Sequence, residues 1–453
     1  MKKVTLEELY QKGLKMHHIT NTAYPLTPTS LMRYKIKNKE EIKKLLKEDI
    51  KNLDSLSLYV HVPFCQSRCR FCEYAVVSGN DYDKKEEYTK ALLKEIDMYK
   101  EIIEERKILG FDLGGGTPTQ LETNQIERIT KKLHENFNFY KNTEMSIETT
   151  PVIAANDFNK IKALYDMGYR RISMGVQTIN TKLLEAFGRE GNNNIYKNAV
   201  QNIRKAGFKK FNIDLMYGFL NQNMDDLEAT LDYAINLNPE YITLYRNRYK
   251  GTKIVAEADS VTLEKVNAQY KEAHRILNEA GYEAPYGKNT FSRLKGDYGT
   301  SDYLTKRVVE GLPYIGMGLG AQSYGYQYLA YNEGASSKTL KRYFDKIENN
   351  EFPIQDIYPL PLSESIAKMV SVAFYFAHLD IDNFNKRFNI DFLDYFKEEI
   401  EFLKERNLIT IENRKMIVTE KGVENIGGVI PMFYSKESRE ELMRIKRIFW
   451  WML

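Results

Sequence analysis

The sequence predicts an α/β fold: a partial (β/α)6 barrel of the TIM type, followed by a small winged-helix-like α+β domain. Three observations predict it. Six short apolar runs alternate with longer helical patterns, polar residues follow several of these runs, and the composition changes near residue 364. Such alternation favours βα units around a parallel sheet. In a barrel of this kind, the C-terminal ends of the strands carry the functional residues.

The six apolar runs are the predicted parallel strands, and segments with helical periodicity separate them. The predicted strands lie at residues 57–62, 107–115, 145–150, 170–177, 211–218 and 241–246. A further run, "PYIGMGLGAQSYGY" at 313–326, follows a short helical segment and is expected to extend the sheet.

Four segments are expected along the chain. They are an N-terminal extension of helix and loop (1–50), the barrel (51–330), a connecting segment with one helix and a loop (331–363), and the winged-helix-like domain (364–453). In the last segment three helices precede "LITIENRKMIVTEKG", which is a predicted hairpin. The basic and aromatic end, "LMRIKRIFWWML", is expected to dock on the protein body rather than on a membrane.

Composition restricts the classes of function. The 66 Lys and Arg residues against 62 Asp and Glu leave a net charge of +4, which is too small to indicate nucleic acid as a partner. The helix "FLDYFKEEIEFLKERN" of the winged-helix-like domain also carries more acidic than basic residues. No apolar run is long enough for a membrane span or for the core of a signal peptide. We therefore expect a cytoplasmic protein that binds neither nucleic acid nor membrane.

All three cysteines lie in the stretch "YVHVPFCQSRCRFCEY" (59–74), with the spacing Cys-x3-Cys-x2-Cys. A thioredoxin-type site needs only two cysteines, and zinc sites usually take two separated pairs of ligands. A [4Fe–4S] cluster has four irons, so three thiolates would leave one iron open to a substrate or cofactor. We predict Cys65, Cys69 and Cys72 as ligands of such a cluster, with a structural zinc site as the alternative.

Further polar and glycine-rich motifs follow the predicted strands. "GGGTPT" (114–119) comes directly after the second strand, where glycines let the backbone approach a ligand closely. It lacks the Gly-Lys-Ser/Thr ending of a nucleotide P-loop. Glu148, Gln177, Arg189 and Asp214 lie at or just beyond later strand ends, where side chains point toward the mouth of a barrel.

Together, the cysteine stretch, "GGGTPT", "IETTP", "RRISMGVQ", "IDLMYG" and "IGMGLGAQSY" resemble the radical S-adenosylmethionine (radical SAM) superfamily. Within it they resemble the branch of oxygen-independent coproporphyrinogen III oxidase (HemN), the haem chaperone HemW, the anaerobilin synthases and the HemN-like methylases. The resemblance covers about residues 57–326. It implies that SAM is cleaved reductively at a [4Fe–4S] cluster to a 5′-deoxyadenosyl radical, with flavodoxin or ferredoxin as the electron donor.

The resemblance also implies the cofactor contacts, for one SAM molecule or two. Contacts to the SAM on the cluster are expected from Tyr59, Gly115 and Glu148. Contacts to a second SAM are expected from Phe71, Gly116, Thr117, Gln177, Arg189 and Asp214. Tyr59 and His61, which precede the cysteines, are the candidate catalytic residues. Arg248 stands where the oxidase has a small residue beside the second SAM, so it could remodel that site.

The member of the branch stays open at the level of sequence. Tyr74 replaces a further cysteine of the oxidase, and the His-Asn-x-x-Tyr-Trp signature of the chaperone has no counterpart before "GLGAQSY". We expect an enzyme, an oxidoreductase or radical C-methyltransferase, acting on a tetrapyrrole of the coproporphyrinogen or haem type. The alternatives are a radical methylase or cyclopropanase of another small molecule, and a non-catalytic haem chaperone. Tyrosines of "YITLYRNRY" and "SYGYQYLAY" are a candidate stacking surface, although tyrosines more often pack in cores.

Overall fold

The computed structural model describes residues 4–26, 30–189 and 193–445. The predicted docking of the C-terminal end concerns Trp450 and Trp451, which lie outside the described residues. The α-helices are Leu6–Lys15, Lys39–Ile50, Tyr82–Ile103, Thr123–Asn136, Pro151–Asn156, Phe158–Asp166, Thr181–Ala186, Asn193–Ala206, Met224–Asn236, Leu263–Glu279, Asp302–Val308, Lys341–Glu348, Leu362–Ala373, Ile381–Phe388, Phe392–Tyr395, Lys397–Glu405, Glu420–Glu424, Ile426–Val429 and Lys436–Arg444. Short 3-10 helices are Met32–Tyr34, Pro118–Gln120, Val255–Ser260, Phe374–Phe376 and Ile430–Phe433.

Six parallel strands form the centre of the molecule. They are β1 (Ser55–Val62), β2 (Lys107–Gly115), β3 (Met145–Thr149), β4 (Tyr169–Gln177), β5 (Lys210–Tyr217) and β6 (Tyr241–Arg246). Each pairs in parallel with the next, in the order β1-β2-β3-β4-β5-β6, and helices connect them. This is the predicted α/β class with a parallel sheet, and the prediction is confirmed. The apolar side chains of these strands and of the helices around them form the largest core.

The sheet continues on both sides of the six strands. A short strand, β7 (Thr290–Ser292), pairs antiparallel to β6, whereas β8 (Tyr314–Met317) pairs in parallel to β1. The run predicted at 313–326 therefore does extend the sheet. It does so as two strands, because Gly318 at φ 93° and Gly320 at φ 69° turn the chain back into an antiparallel partner.

Three more strands complete this edge. They are β9 (Gln322–Tyr324), β10 (Tyr328–Asn332) and β11 (Ile354–Pro359), and they pair antiparallel in sequence. Residues 331–363, expected as a helix and a loop, therefore also supply strand residues to the sheet. The helix Lys341–Glu348 of this segment is present, and the boundaries of the four predicted segments stay predictions. Short strand pairs also occur at Phe64–Cys65 with Val77–Ser78, and Asn138–Phe139 pairs with β2.

The C-terminal part has its own small sheet. Its strands are β12 (His378–Asp380), β13 (Ile409–Glu412) and β14 (Lys415–Val418), with β14 in the middle. The predicted hairpin is β13 with β14, and its two turn residues, Asn413 at φ 47° and Arg414 at φ 59°, both have the positive φ of a type I′ turn. Whether this part is a winged-helix domain stays a prediction.

The N-terminal helix belongs to the core of the C-terminal part. Leu9 and Ile19 are buried there together with residues such as Phe433 and Leu442. The helices meet closely, since a Cβ at Gly13 would lie 2.2 Å from the carbonyl oxygen of Gly427. The two ends of the described chain are thus packed as one unit. No helix among the described residues is both long enough and apolar enough to cross a membrane.

Candidate active site

The three cysteines lie on one short loop that is held at its base. The loop begins at the strand Phe64–Cys65 and ends at its parallel partner Val77–Ser78. Inside the loop, the N–H of Cys72 donates to the carbonyl of Cys69 over 3.1 Å, and the Arg68 guanidinium donates to the carbonyl of Cys72 over 3.0 Å. These contacts fix the backbone between the second and third thiols.

The thiols line a cavity of about 620 Å³, called here the cysteine cavity. Its volume is in the range of roughly 300–1,000 Å³ that is usual for small-molecule sites. The cavity brings together every predicted site residue except Tyr59 and His61: Cys65, Cys69, Phe71, Cys72, Gly115, Gly116, Thr117, Glu148, Gln177, Arg189 and Asp214. No three His, Cys, Asp or Glu side chains in the described ranges are arranged to hold a single metal ion.

Glycine is required where β2 reaches the cysteine loop. Gly115 has φ 122°, and a Cβ on it would lie 2.7 Å from the His61 ring. A Cβ on Gly116 would lie 2.8 Å from the carbonyl carbon of Pro63. The next residue, Thr117, has its hydroxyl oxygen 3.5 Å from the Cys65 sulfur. The main chain of β2 can therefore pass close to His61 and to the base of the cysteine loop. A side chain at either glycine would prevent this approach.

The other strand ends point polar groups into the same cavity. Gln177 ends β4 with φ 71°, an uncommon conformation that favours glycine and often marks functional sites. Asp214 on β5 accepts a hydrogen bond from the hydroxyl of Ser173 over 2.8 Å. Arg189 donates from Nη2 to the Gly175 carbonyl over 2.8 Å. Asp214 and Arg189 are thus each held by a hydrogen bond to β4, the strand to which Gln177 itself belongs.

Phe71 forms the apolar part of the wall. Its ring packs edge-on against Phe187, with 5.3 Å between centroids, and lies 5.8 Å from Phe219. Burial raises the pKa of Cys65 to about 11, although the Thr117 hydroxyl opposes this effect, and burial also raises the pKa of Cys72. Both thiols are therefore protonated until a metal displaces their protons.

A second cavity of about 710 Å³ adjoins the first and is called here the tyrosine cavity. The tyrosines that line it are Tyr59, Tyr74, Tyr217, Tyr245, Tyr270, Tyr286, Tyr303, Tyr314, Tyr331 and Tyr375. Tyr74, Tyr245, Glu148 and Arg248 line both cavities, so the two cavities share a wall. Tyrosine rings therefore line a cavity that shares a wall with the cavity of the thiols. Of the two tyrosine-rich stretches noted in the sequence, only some members face this cavity, and Tyr241, Tyr249 and Tyr328 are core residues.

Tyr59 and His61 face the tyrosine cavity rather than the cysteine cavity. His61 Nε2 lies 2.9 Å from the carbonyl of Ala75, so this nitrogen carries the proton. Nδ1 is then an acceptor, 3.2 Å from the hydroxyl of Tyr59. Burial lowers the pKa of His61 to about 4, so the ring is neutral near pH 7. In this arrangement His61 orients Tyr59, whose ring also stacks on Tyr303.

Two carboxyl groups with raised pKa values line the cavities: Glu148 lines both, and Asp112 lines the tyrosine cavity. Glu148 presents its side chain to the cavity space but is otherwise enclosed by protein, and its Oε2 accepts from the Gly115 N–H over 3.2 Å. Desolvation, with repulsion from Asp214 and Asp112, raises the pKa of Glu148 to about 8. Desolvation likewise raises the pKa of Asp112 to about 7. Such perturbed groups are typical of functional sites.

Several residues around the cavities were not predicted from the sequence. Arg248 was noted, and it lines both cavities as an ion-pair partner of Glu73. Asp112, Arg307 and Lys368 were missed. Asp112 is a charged residue inside the apolar strand "KILGFDLGG", and Lys368 is the only cation in the apolar helix "LSESIAKMVSVA", so both had a recognisable signal. Arg307 lies in a short helix with several other charged residues, so nothing in its sequence marked it as a site residue.

The chain is similar in sequence to known proteins. Residues 59–234 match the sequence model of the radical SAM superfamily. Oxygen-independent coproporphyrinogen III oxidase of Helicobacter pylori (strain ATCC 700392 / 26695) is 27% identical over 425 residues, which are 88% of this chain and 90% of the relative. The Escherichia coli K12 protein of the same name is 28% identical over 385 residues, 81% of this chain and 82% of that protein. Heme chaperone HemW of Buchnera aphidicola subsp. Schizaphis graminum is 30% identical over 246 residues, 53% of this chain and 64% of the chaperone.

A solved structure shares the architecture. The solved structure described as "Coproporphyrinogen III oxidase (HemN) from Escherichia coli is a Radical SAM enzyme" superimposes with a TM-score of 0.73 at 25% identity. The superposition covers 88% of this chain and 93% of that one.

The chain contains a radical SAM domain, and the predicted family is confirmed. Within the superfamily it is similar to HemN and HemW, and it is an enzyme, as expected. Its cofactors are a [4Fe–4S] cluster and SAM. The residues that are present fit them, because three thiols and a glycine-lined approach share one cavity. The assignment of individual contacts stays a prediction.

Proposed function

We propose that the protein is a radical SAM oxidoreductase whose substrate is a tetrapyrrole of the coproporphyrinogen or haem type. One observation carries the proposal: a 710 Å³ cavity lined by tyrosines adjoins the cysteine cavity through a shared wall. Tyrosine rings offer flat, partly polar surfaces on which a conjugated ring system can stack. The relatives, a coproporphyrinogen oxidase and a heme chaperone, are also named after tetrapyrroles.

The two cavities have different roles in this proposal, one for the cofactors and one for the substrate. When bound, the cluster and SAM together supply a one-electron route to a carbon radical that can remove a hydrogen atom from the substrate. Cys65, Cys69 and Cys72 would hold the cluster, and Gly115 with Glu148 would hold SAM at the shared wall. The neutral His61 holds the Tyr59 hydroxyl in place on the substrate side. The surrounding aromatic residues keep water from the reacting atoms.

An oxidase-type enzyme is favoured over a haem chaperone by the extent of the similarity. The oxidases of Helicobacter pylori and Escherichia coli align with 88% and 81% of this chain. The chaperone of Buchnera aphidicola aligns with 53%. The alignment with the chaperone is also longer than the radical SAM domain at 59–234, but the alignments with the oxidases include more of the chain, and residues after that domain line the tyrosine cavity.

We also propose flavodoxin or ferredoxin as the electron donor. The outer side of the cysteine loop carries the exposed Arg70, and the N–H of the exposed Lys253 donates to the Arg70 carbonyl over 2.8 Å. A basic surface beside the cluster is complementary to an acidic electron carrier.

The test is an anaerobic assay of the reconstituted protein. With dithionite and SAM, we expect 5′-deoxyadenosine to form, and we expect coproporphyrinogen III or haem to increase its yield. The tetrapyrrole absorbance should change in the same reaction, and flavodoxin or ferredoxin should replace dithionite. If 5′-deoxyadenosine forms but neither tetrapyrrole affects the yield, the substrate assignment is wrong. Haem binding with an unchanged Soret band during turnover would instead indicate a chaperone.

A further inference from the structure

Two cations on the wall of the tyrosine cavity have no carboxylate partner. They are Arg307, in the helix Asp302–Val308, and Lys368, in the helix Leu362–Ala373 of the C-terminal part. Within the part of the chain that the structure describes, no Asp or Glu oxygen lies within 4.0 Å of either charged group. Buried charges are usually paired, because transfer out of water is otherwise costly.

Arg307 is held in place by aromatic residues. Its Nη1 donates to the hydroxyl of Tyr303 over 2.9 Å, and its guanidinium carbon lies 4.5 Å from the ring centroid of Tyr314. Its Nε is buried and has no hydrogen-bond partner among the described residues. Asp112 is near enough to feel the charge of Arg307, but its carboxylate accepts from Ser301 instead. The guanidinium is therefore oriented by Tyr303 and Tyr314, and Asp112 is not its ion-pair partner.

Lys368 is more deeply buried, with 4% of its surface exposed. Its ammonium donates to the carbonyl of Tyr24 over 2.7 Å, which uses one of its three donors. Burial, with repulsion from Arg307 and Arg248, lowers the pKa of Lys368 to about 7. Three cations thus lie within electrostatic range of one another, and Arg248 alone has an acidic partner, Glu73. Such a cluster is complementary to an anion with more than one negative charge.

We infer that Arg307 and Lys368 bind carboxylate groups of the substrate at the wall of the tyrosine cavity. The guanidinium plane suits two-point contact with a carboxylate, whereas the lysine acts as a compact charge. The inference rests on the proposed function, because the carboxylates would be those of the tetrapyrrole side chains. Since Lys368 comes from the C-terminal part, this part completes the substrate site. The carboxylates then set which edge of the ring system faces the cysteine cavity.

The test compares an acid with its ester in binding. Coproporphyrin III and its tetramethyl ester share one ring system, but only the acid carries charge. Their dissociation constants are measured by porphyrin fluorescence for the native, cluster-loaded protein, for Arg307→Gln and for Lys368→Met. Lys404→Met is the control, because Lys404 is an exposed lysine of the C-terminal part that does not line the cavity. Iron content and the visible absorbance of the cluster are measured for each variant to check that the cysteine loop still holds it.

We expect the native protein to bind the acid at least about tenfold more tightly than the ester, since only the acid can form charge-assisted hydrogen bonds with the two cations. Each variant should lose about tenfold in affinity for the acid and nothing for the ester. If the variants change neither ligand, or both equally, the carboxylate site is wrong while the tetrapyrrole assignment stands. If the native protein binds neither porphyrin, the proposed function itself fails. Should Lys368→Met not fold, Arg307→Gln alone decides.

Discussion

Cys69 is the middle of the three thiols, and the chain has no other cysteine that could replace it. Cys69→Ala should therefore abolish the brown cluster absorbance and the bound iron, because two thiolates do not hold a [4Fe–4S] cluster that also binds SAM. Iron content and visible absorbance after anaerobic reconstitution are the measurements.

Ser67→Ala is the matched control for Cys69→Ala. Ser67 lies on the same loop, and its hydroxyl donates to the Gly188 carbonyl rather than to a metal. This variant should load normally. A fully loaded cluster in Cys69→Ala would contradict the ligand assignment.

At the scale of single residues, the sequence predicted the cysteine cavity well and the tyrosine cavity poorly. Glu148 and Asp214 lie on strands whose apolar patterns are clear, and Cys65 comes shortly after another, so their meeting in one cavity could be expected. Lys368 and Tyr375 reach the site from a helix and a turn that follow the barrel by many residues. No short-range pattern reports such a contact, because it depends on how the C-terminal part packs.

Among the elements, the helix Tyr82–Ile103 is tied to the glycine turn between β8 and β9 by one buried carboxylate. Glu95 accepts from the Gly318 N–H over 2.8 Å, from the Asn332 amide over 2.8 Å and from the Tyr343 hydroxyl over 2.6 Å. Three donors from different elements thus converge on this side chain. The adjoining residues Gly320 and Ala321 line the tyrosine cavity.

Glu95→Ala should lower the free energy of unfolding by about 3 kcal/mol or more, because it leaves buried donors without partners. Chemical unfolding is the measurement. Glu101→Ala, on the exposed side of the same helix, removes only surface ion pairs to Lys43 and Lys47 and should cost less than about 1 kcal/mol. Equal effects of the two substitutions would show that Glu95 does not join these elements.

The elements themselves were largely predictable up to β6. Continuous apolar runs bounded by polar residues placed all six parallel strands within two residues of their observed bounds. β10 and β11 were not predicted, because tyrosines and prolines break the apolar pattern of "YLAYN" and "IQDIYP". Both are strands because they pair directly with each other. The helix Lys341–Glu348 separates them along the chain, so the sequence of neither segment alone predicts the pairing.

For the molecule as a whole, the packing of the N-terminal helix on the C-terminal part is the contact that joins the chain ends. Gly13→Val should disrupt it, since even a Cβ would lie 2.2 Å from the Gly427 oxygen. We expect a loss of about 2–3 kcal/mol, in the upper range for overpacking. Thermal unfolding of the cluster-loaded protein is the measurement.

Lys15→Val is the control for this substitution. It places the same side chain in the same helix, at an exposed position, and should cost only the lower helix propensity of valine, about 0.5 kcal/mol. Similar melting temperatures for the two variants would mean that the chain ends are not held together through Gly13.

The joining of the chain ends has a consequence for the order of events during protein synthesis. The cysteine loop leaves the ribosome long before Lys368 and the rest of the C-terminal part that lines the tyrosine cavity. At about 5–20 residues per second, the interval lasts on the order of tens of seconds. During this interval the three thiols have been synthesised, but the segment that forms one side of the tyrosine cavity has not. If nascent chains stalled before residue 362 bind iron, the cluster can be inserted before this side of the cavity is present.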